Sequence, residues 1–397
     1  MKPHVALRAA HIAVAAIFAG AAGAASADAV TDWNVKAGEL ITEAKLGTPP
    51  AIRVMAFAQT AVYDAVRTSA GGRSVDAAVA AANRAVFLKL LPAQQASIDA
   101  AYNAALATIP ESAAKAAGVV AGERAAAAVF ERRTADRIAP VESYRPHTAA
   151  GVYVPTAAPA VPQWASRTAW LMVNNAQYRA GPPPTLTSDA WARDYNEVKD
   201  VGARASTKRS AEQTEIARFW EYSLPSIYHG VVRSVANQPG RDVARNARLF
   251  AAVAQAMDDA MIGVFEAKYH YGFWRPATAI RNGDIDGNDA TTRDASWSPL
   301  IEAPMHPEYP SGHSILAGAV GAVLKADIGS GTAVLATSSP SAKGATRRWN
   351  SIDEFVREVS NARVYAGIHY RSATEAGEAM GRRIGELAVV QLMASPE

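Results

Sequence analysis

The sequence predicts an all-α protein built as a large helical bundle. Three observations carry this. Alanine-rich stretches repeat apolar residues at helical spacing, Pro and Gly separate those stretches, and strand-like alternation of β-branched and polar residues is scarce. At 397 residues the chain can bury a core large enough to hold itself together. That matters because it contains no cysteine, which excludes disulfides and thiolate metal sites.

The elements follow in order. Lys2 and Arg8 precede the apolar run His11–Ala24, and Ala25-Ser26-Ala27 gives a small-x-small cleavage pattern. Residues 1–27 are therefore expected to be a signal peptide, which places the mature chain in a secreted or periplasmic setting. A run this short spans a bilayer poorly, and no later segment is apolar for long enough, so no membrane association is expected after signal cleavage. Removing residues 1–27 takes away two basic groups and no acid, so the formal charge falls from +3 to +1. That balance gives no reason to expect nucleic acid as a partner. It leaves a homo-oligomer open.

Residues 28–137 read as an N-terminal helical region. Pro50–Arg67 places Ile52, Met55, Val62 and Val66 near helical spacing, and Val75–Leu91, Ala93–Ile109 and Ser112–Arg133 follow as three Ala-rich helices. Residues 138–187 read as an irregular Pro-rich covering segment, broken by Pro140, Pro146, Pro155, Pro159, Pro162 and the run Pro182–Pro184. Residues 188–397 read as a C-terminal catalytic helical bundle. Helices are expected from Ser188, over Ala211–Tyr222, over Arg241–Tyr269, over Ser311–Asp327, and from Ile352 onward, with a Gly/Ser-rich loop before the last of these.

Three separated pieces of this bundle carry chemistry. In KYHYGFWRP, Lys268 and Arg275 lie seven apart. On a continuous helix that is about 20° short of two turns, which puts two cations on one face roughly 10 Å apart. Pro276 disfavours helical geometry at Arg275, so the pair is expected to close a helix end. In Pro310-Ser311-Gly312-His313, glycine permits close backbone approach, and a helix starting there offers free N–H groups to an anion. In ARVYAGIHYRS, Arg363 and His369 would lie about 120° apart on a continuous helix, so they share a site only if the chain breaks, and Gly367 supplies a break.

In this order the pieces resemble the signature K-x6-R-P, P-S-G-H and S-R-x5-H of the type 2 phosphatidic acid phosphatase superfamily. The wording KYHYGFWRPATAIR and HPEYPSGHS, with VTDWN near Val30 and AQTAVYDAV over Ala58–Val66, is most similar to its vanadium-dependent haloperoxidase branch. The resemblance implies that Lys268, Arg275, Ser311, Gly312 and Arg363 hold the oxygens of vanadate or phosphate. It makes His369 the vanadium ligand or phosphoryl nucleophile, and His313 the acid–base group. It implies a haloperoxidase using vanadate, hydrogen peroxide and halide. The alternatives are a periplasmic acid phosphatase that forms a phosphohistidine from a phosphate ester without cofactor, and a catalytically weak oxyanion-binding protein. His306, aromatic Phe in the chloroperoxidases of the family, is expected to favour bromide or iodide.

Two positions depart from the pattern. Ala362 stands where the signature has Ser, and Ala373 stands where the superfamily often carries an Asp that orients the last histidine. Glu375, Asp353 and the pair Asp258-Asp259 are candidate replacements. Other motifs are weaker. DIDGND, Asp284–Asp289, fails the calcium-loop pattern at Asp289 and Ala295, and reads as a solvated acidic loop. Tyr144-Arg145-Pro146 lacks an upstream lysine at the right distance, and Trp220 and His229 are candidates for an entrance.

Overall fold

A computed structural model describes residues 28–69, 71–136, 138 and 145–394. The expected signal peptide lies outside the described residues. The fold is all-α, as the sequence predicts. Its helices are α1 (Ala29–Glu43), α2 (Thr48–Thr68), α3 (Val75–Leu90), α4 (Gln95–Ala107), α5 (Ala113–Arg132), α6 (Asp189–Val201), α7 (Ala211–Phe219), α8 (Pro225–Ala236), α9 (Val243–Tyr271), α10 (Pro276–Arg281), α11 (Gly312–Ile328), α12 (Ile352–Tyr365) and α13 (Arg371–Ala388). The Gly/Ser-rich stretch before α12 is not all loop. It holds an antiparallel hairpin, β1 (Leu335–Ser339) with β2 (Ala345–Trp349), in which Leu335 pairs with Trp349.

The central element is α9, which packs against α2, α11 and α13. The side chain of Asp242 caps its start by accepting from the Arg245 N–H at 2.7 Å, and Gly272, at φ +54°, ends it in the left-handed region. Between these ends the helix is buried almost throughout. One apolar core runs from Val30 and Trp33 through Phe57, Phe87, Phe250 and Leu316 to Ile384. Each such large side chain contributes about 1.5–3 kcal/mol on burial.

The segment 145–187 contains no α-helix and is fastened to α9 by charge. Arg167 bonds Asp136 at 2.7 Å and Asp258 at 2.6 Å with all three side chains out of solvent. The carboxylate of Asp259 accepts the backbone N–H groups of Trp170, Leu171 and Met172. Asp258 and Asp259 are thus committed to holding this segment, which removes them as partners for His369.

Candidate active site

The helical arithmetic for Lys268 and Arg275 does not apply, because α9 stops at Tyr271 and the chain turns at Gly272. Arg275, extended at φ −77° and ψ 154° before Pro276, is the cap residue of α10. The two cations converge through a turn instead of along one face. Both are buried, Lys268 completely. The Lys268 ammonium donates to the carbonyls of Pro307, Glu308 and Pro310, using its three protons on one loop. Arg275 donates from Nε to the His306 carbonyl at 3.1 Å and from Nη1 to the Ile368 carbonyl at 2.8 Å. Its Nη2 lies 3.0 Å from His306 Nδ1. These bonds fold the 306–310 loop and the Ile368-His369 strap around the two cations.

Ser311 caps α11, with its backbone N–H on the Ala373 carbonyl at 2.9 Å. Ser360 and Ser314 form a hydroxyl chain to it, with steps of 3.0 Å and 3.0 Å. With Ser314 donating, Ser311 Oγ accepts inside the protein and keeps its own proton to donate. The N–H groups of Gly312 and His313 begin the helix and have no carbonyl of that helix to bind. A Cβ placed on Gly312 would meet no protein atom within 4 Å. Arg363 sits in the last turn of α12, buried, with Nη1 on the Trp220 carbonyl at 2.6 Å. The expected break follows it, with Gly367 at φ +78°. His369 comes next, so its ring enters the same site from the strap between α12 and α13. Its Nε2 lies 3.3 Å from Arg275 Nη1.

Burial and mutual repulsion govern the electrostatics. Lys268 is held well below the usual lysine range, first by burial and then by Arg275. Burial pushes Arg275 and Arg363 down to about 10. His313 and His369 are also held well below the ordinary histidine value, by burial first and then by Arg363 and Arg275 respectively. Three crowded cations and neutral imidazoles are the surroundings that an anion relieves.

Residues 248–395 match the family model described as the VCPO second helical-bundle domain. Vanadium chloroperoxidase of Curvularia inaequalis is 33% identical over 173 residues, 35% of this chain and 28% of that protein. This bundle is similar to those of vanadium haloperoxidases. The chain spans about a quarter of that curated relative's length. A solved bacterial vanadium-dependent iodoperoxidase shares the fold at TM-score 0.78, with 22% identity over 91% of this chain and 96% of that one. A bacterial vanadium-dependent chloroperoxidase in its apo form does so at TM-score 0.70, with 18% identity over 86% and 92%.

Within this bundle, the partner of His369 is one that local sequence spacing does not reveal. Glu308 Oε1 lies 2.7 Å from His369 Nδ1 and also accepts the Tyr370 N–H at 3.0 Å. Asp353 and Glu375 are exposed on α12 and α13 instead. The signal was present in HPEYPSGH, since an acid between two prolines ahead of a helix start seldom survives burial without a partner. Glu308 is fully buried, and burial raises its carboxyl to about 8 against the opposing pull of Arg275 and Lys268. His306 is half-buried, its ring edge-on to Phe265 at 5.2 Å. Trp220 and His229 are wholly buried and line no entrance. The acidic loop is only partly solvated, because Asp286 is buried and accepts from Trp191 Nε1 at 2.9 Å.

The donor set fits vanadate. Arg363 Nε and His313 Nε2 are buried without a protein partner, beside a helix start and a glycine that leaves space. With Nδ1 donating to Glu308, His369 Nε2 carries a lone pair available to a central atom.

Proposed function

We propose that this protein is a vanadate-dependent haloperoxidase that uses hydrogen peroxide to oxidise halide, bromide or iodide in preference to chloride, to hypohalous acid. The observation that carries it is the arrangement around His369. Its Nε2 lone pair opens toward Arg275, and Arg275, Lys268 and Arg363 surround the histidine with positive charge. His369 would hold vanadium through Nε2. Arg363, Ser311 Oγ and the Gly312 N–H would donate to the oxygens, with Arg275 beside them. Lys268, whose protons lie on the 307–310 loop, acts through charge and by shaping that loop. Bound vanadate supplies a Lewis acid that activates peroxide toward a halide nucleophile. His313, neutral and with Nε2 free of protein partners, takes the proton of the incoming peroxide and returns it to the product. His306, whose ring Arg275 and Phe265 hold, is the residue we assign to halide preference. The export expected from residues 1–27 belongs to the same proposal, with the enzyme acting in the periplasm or outside the cell.

A second reading is favoured by one observation. A histidine oriented by a buried carboxylate is also a competent phosphoryl nucleophile, so Ala373 does not disable phosphatase chemistry. The purified chain, given orthovanadate, hydrogen peroxide and either bromide or iodide, is expected to halogenate a trapping dione. A chromogenic phosphate ester is assayed in parallel without vanadate. Ester hydrolysis with no vanadate-dependent halogenation would sink the first reading. Vanadate binding with neither activity would point to an oxyanion-binding protein.

A further inference from the structure

We infer that Glu308 is the positioning residue of His369, fixing its tautomer so that Nε2 alone faces the anion. This rests on the vanadate-site reading above for its consequence, though not for its geometry. Glu308 Oε1 already accepts the Tyr370 N–H, so it stands as an acceptor whether the carboxyl is ionised or holds its proton on Oε2, and the 2.7 Å contact then places the histidine proton on Nδ1. Nε2 is then unprotonated on the side toward Arg275. The carboxylate cannot swing away. Its Oε1 also takes the Tyr370 N–H, its backbone N–H donates to the Phe273 carbonyl at 2.9 Å, and its carbonyl receives Lys268 Nζ at 2.8 Å. Both side chains are out of solvent, so no water competes for Nδ1. Without Glu308, a buried imidazole in a cluster of cations would have nothing to choose which nitrogen keeps the proton.

The test is nitrogen NMR of the full chain labelled at histidine, without added anion, with His369 assigned from a His369→Gln variant. Orthovanadate binding is measured separately by calorimetry. Wild type is expected to show His369 protonated at Nδ1 and bare at Nε2. In Glu308→Gln the amide oxygen can still accept from Nδ1, so the same tautomer is expected. In Glu308→Ala the preference is expected to be lost, and vanadate to bind roughly ten- to a hundredfold more weakly. Protonation at Nε2 in wild type overturns the inference. So does a Glu308→Ala protein with the wild-type tautomer and vanadate affinity. If Glu308→Ala does not fold, Glu308→Gln decides, retention of the tautomer supporting the role and its loss overturning it. If wild type binds no vanadate, the cofactor reading fails while the spectrum still judges Glu308.

Discussion

Arg363 illustrates how one side chain is divided between fold and site. Its Nη1 is spent on the Trp220 carbonyl, whereas its Nε is buried with no acceptor. A lysine at this position has one compact ammonium and cannot serve both directions. Arg363→Lys is therefore expected to lose one charge-assisted bond to the anion, about 1.5–3 kcal/mol, or roughly ten- to a hundredfold in affinity for vanadate or inorganic phosphate. Calorimetric titration of the variant checks this, and unchanged affinity would remove Arg363 from the site. At this scale Lys268, Arg275, Ser311, Gly312, His313, Arg363 and His369 were all legible in the sequence, because their residue types and spacings form an ordered pattern. Glu308 was not. Its value comes from a contact across 61 positions, which no local spacing encodes.

Helices α11 and α13 set the distance between the Ser311-Gly312-His313 turn and the His369 strap. Their approach depends on glycine. A Cβ on Gly381 would fall 2.0 Å from the Ile315 carbonyl oxygen and 2.9 Å from the Ala319 nitrogen, backbone atoms that cannot step aside. Gly381→Ala is expected to cost about 1–3 kcal/mol of stability as the helices are forced apart. Gly312→Ala is the contrasting case, because its Cβ meets no protein atom. That variant should keep its unfolding free energy in urea within about 0.5 kcal/mol of wild type while binding vanadate less tightly. A Gly312→Ala protein that binds normally would show that close backbone approach at this turn is unnecessary. The sequence showed the long helices well because their apolar spacing is dense. It missed α1, α8 and the hairpin. In α8, Pro225 occupies the first helical position, where its missing N–H costs nothing, so a residue that usually marks a break here marks a start.

Across the whole molecule the core carries polar groups that water cannot reach, and these make stability depend on pH. His229, far from the anion site in sequence, is fully buried against Phe250 and accepts from Asn34 Nδ2 at Nδ1, 2.8 Å away. Asn34 in turn accepts from Arg233 at 2.7 Å. Burial first, and Arg233 second, push His229 down to about 3 from the ordinary 6.5. The native state therefore keeps this ring neutral at pH values where the unfolded chain has already taken up a proton. Between pH 6.5 and 3 the unfolded state binds more protons, so stability rises with pH in that window and falls as the solution is acidified. The contribution is intact above pH 6.5 and is reduced by about 2 kcal/mol at pH 5. His306, His313 and His369 act in the same direction when no anion is bound, so the single site is isolated by difference. Urea unfolding of wild type and His229→Gln, each at pH 7 and pH 5, is expected to show the variant losing about 2 kcal/mol less on acidification. Glutamine can still accept from Asn34 but cannot take up the proton. Equal losses in the two proteins would mean that His229 is charged, or reached by water, in the native state.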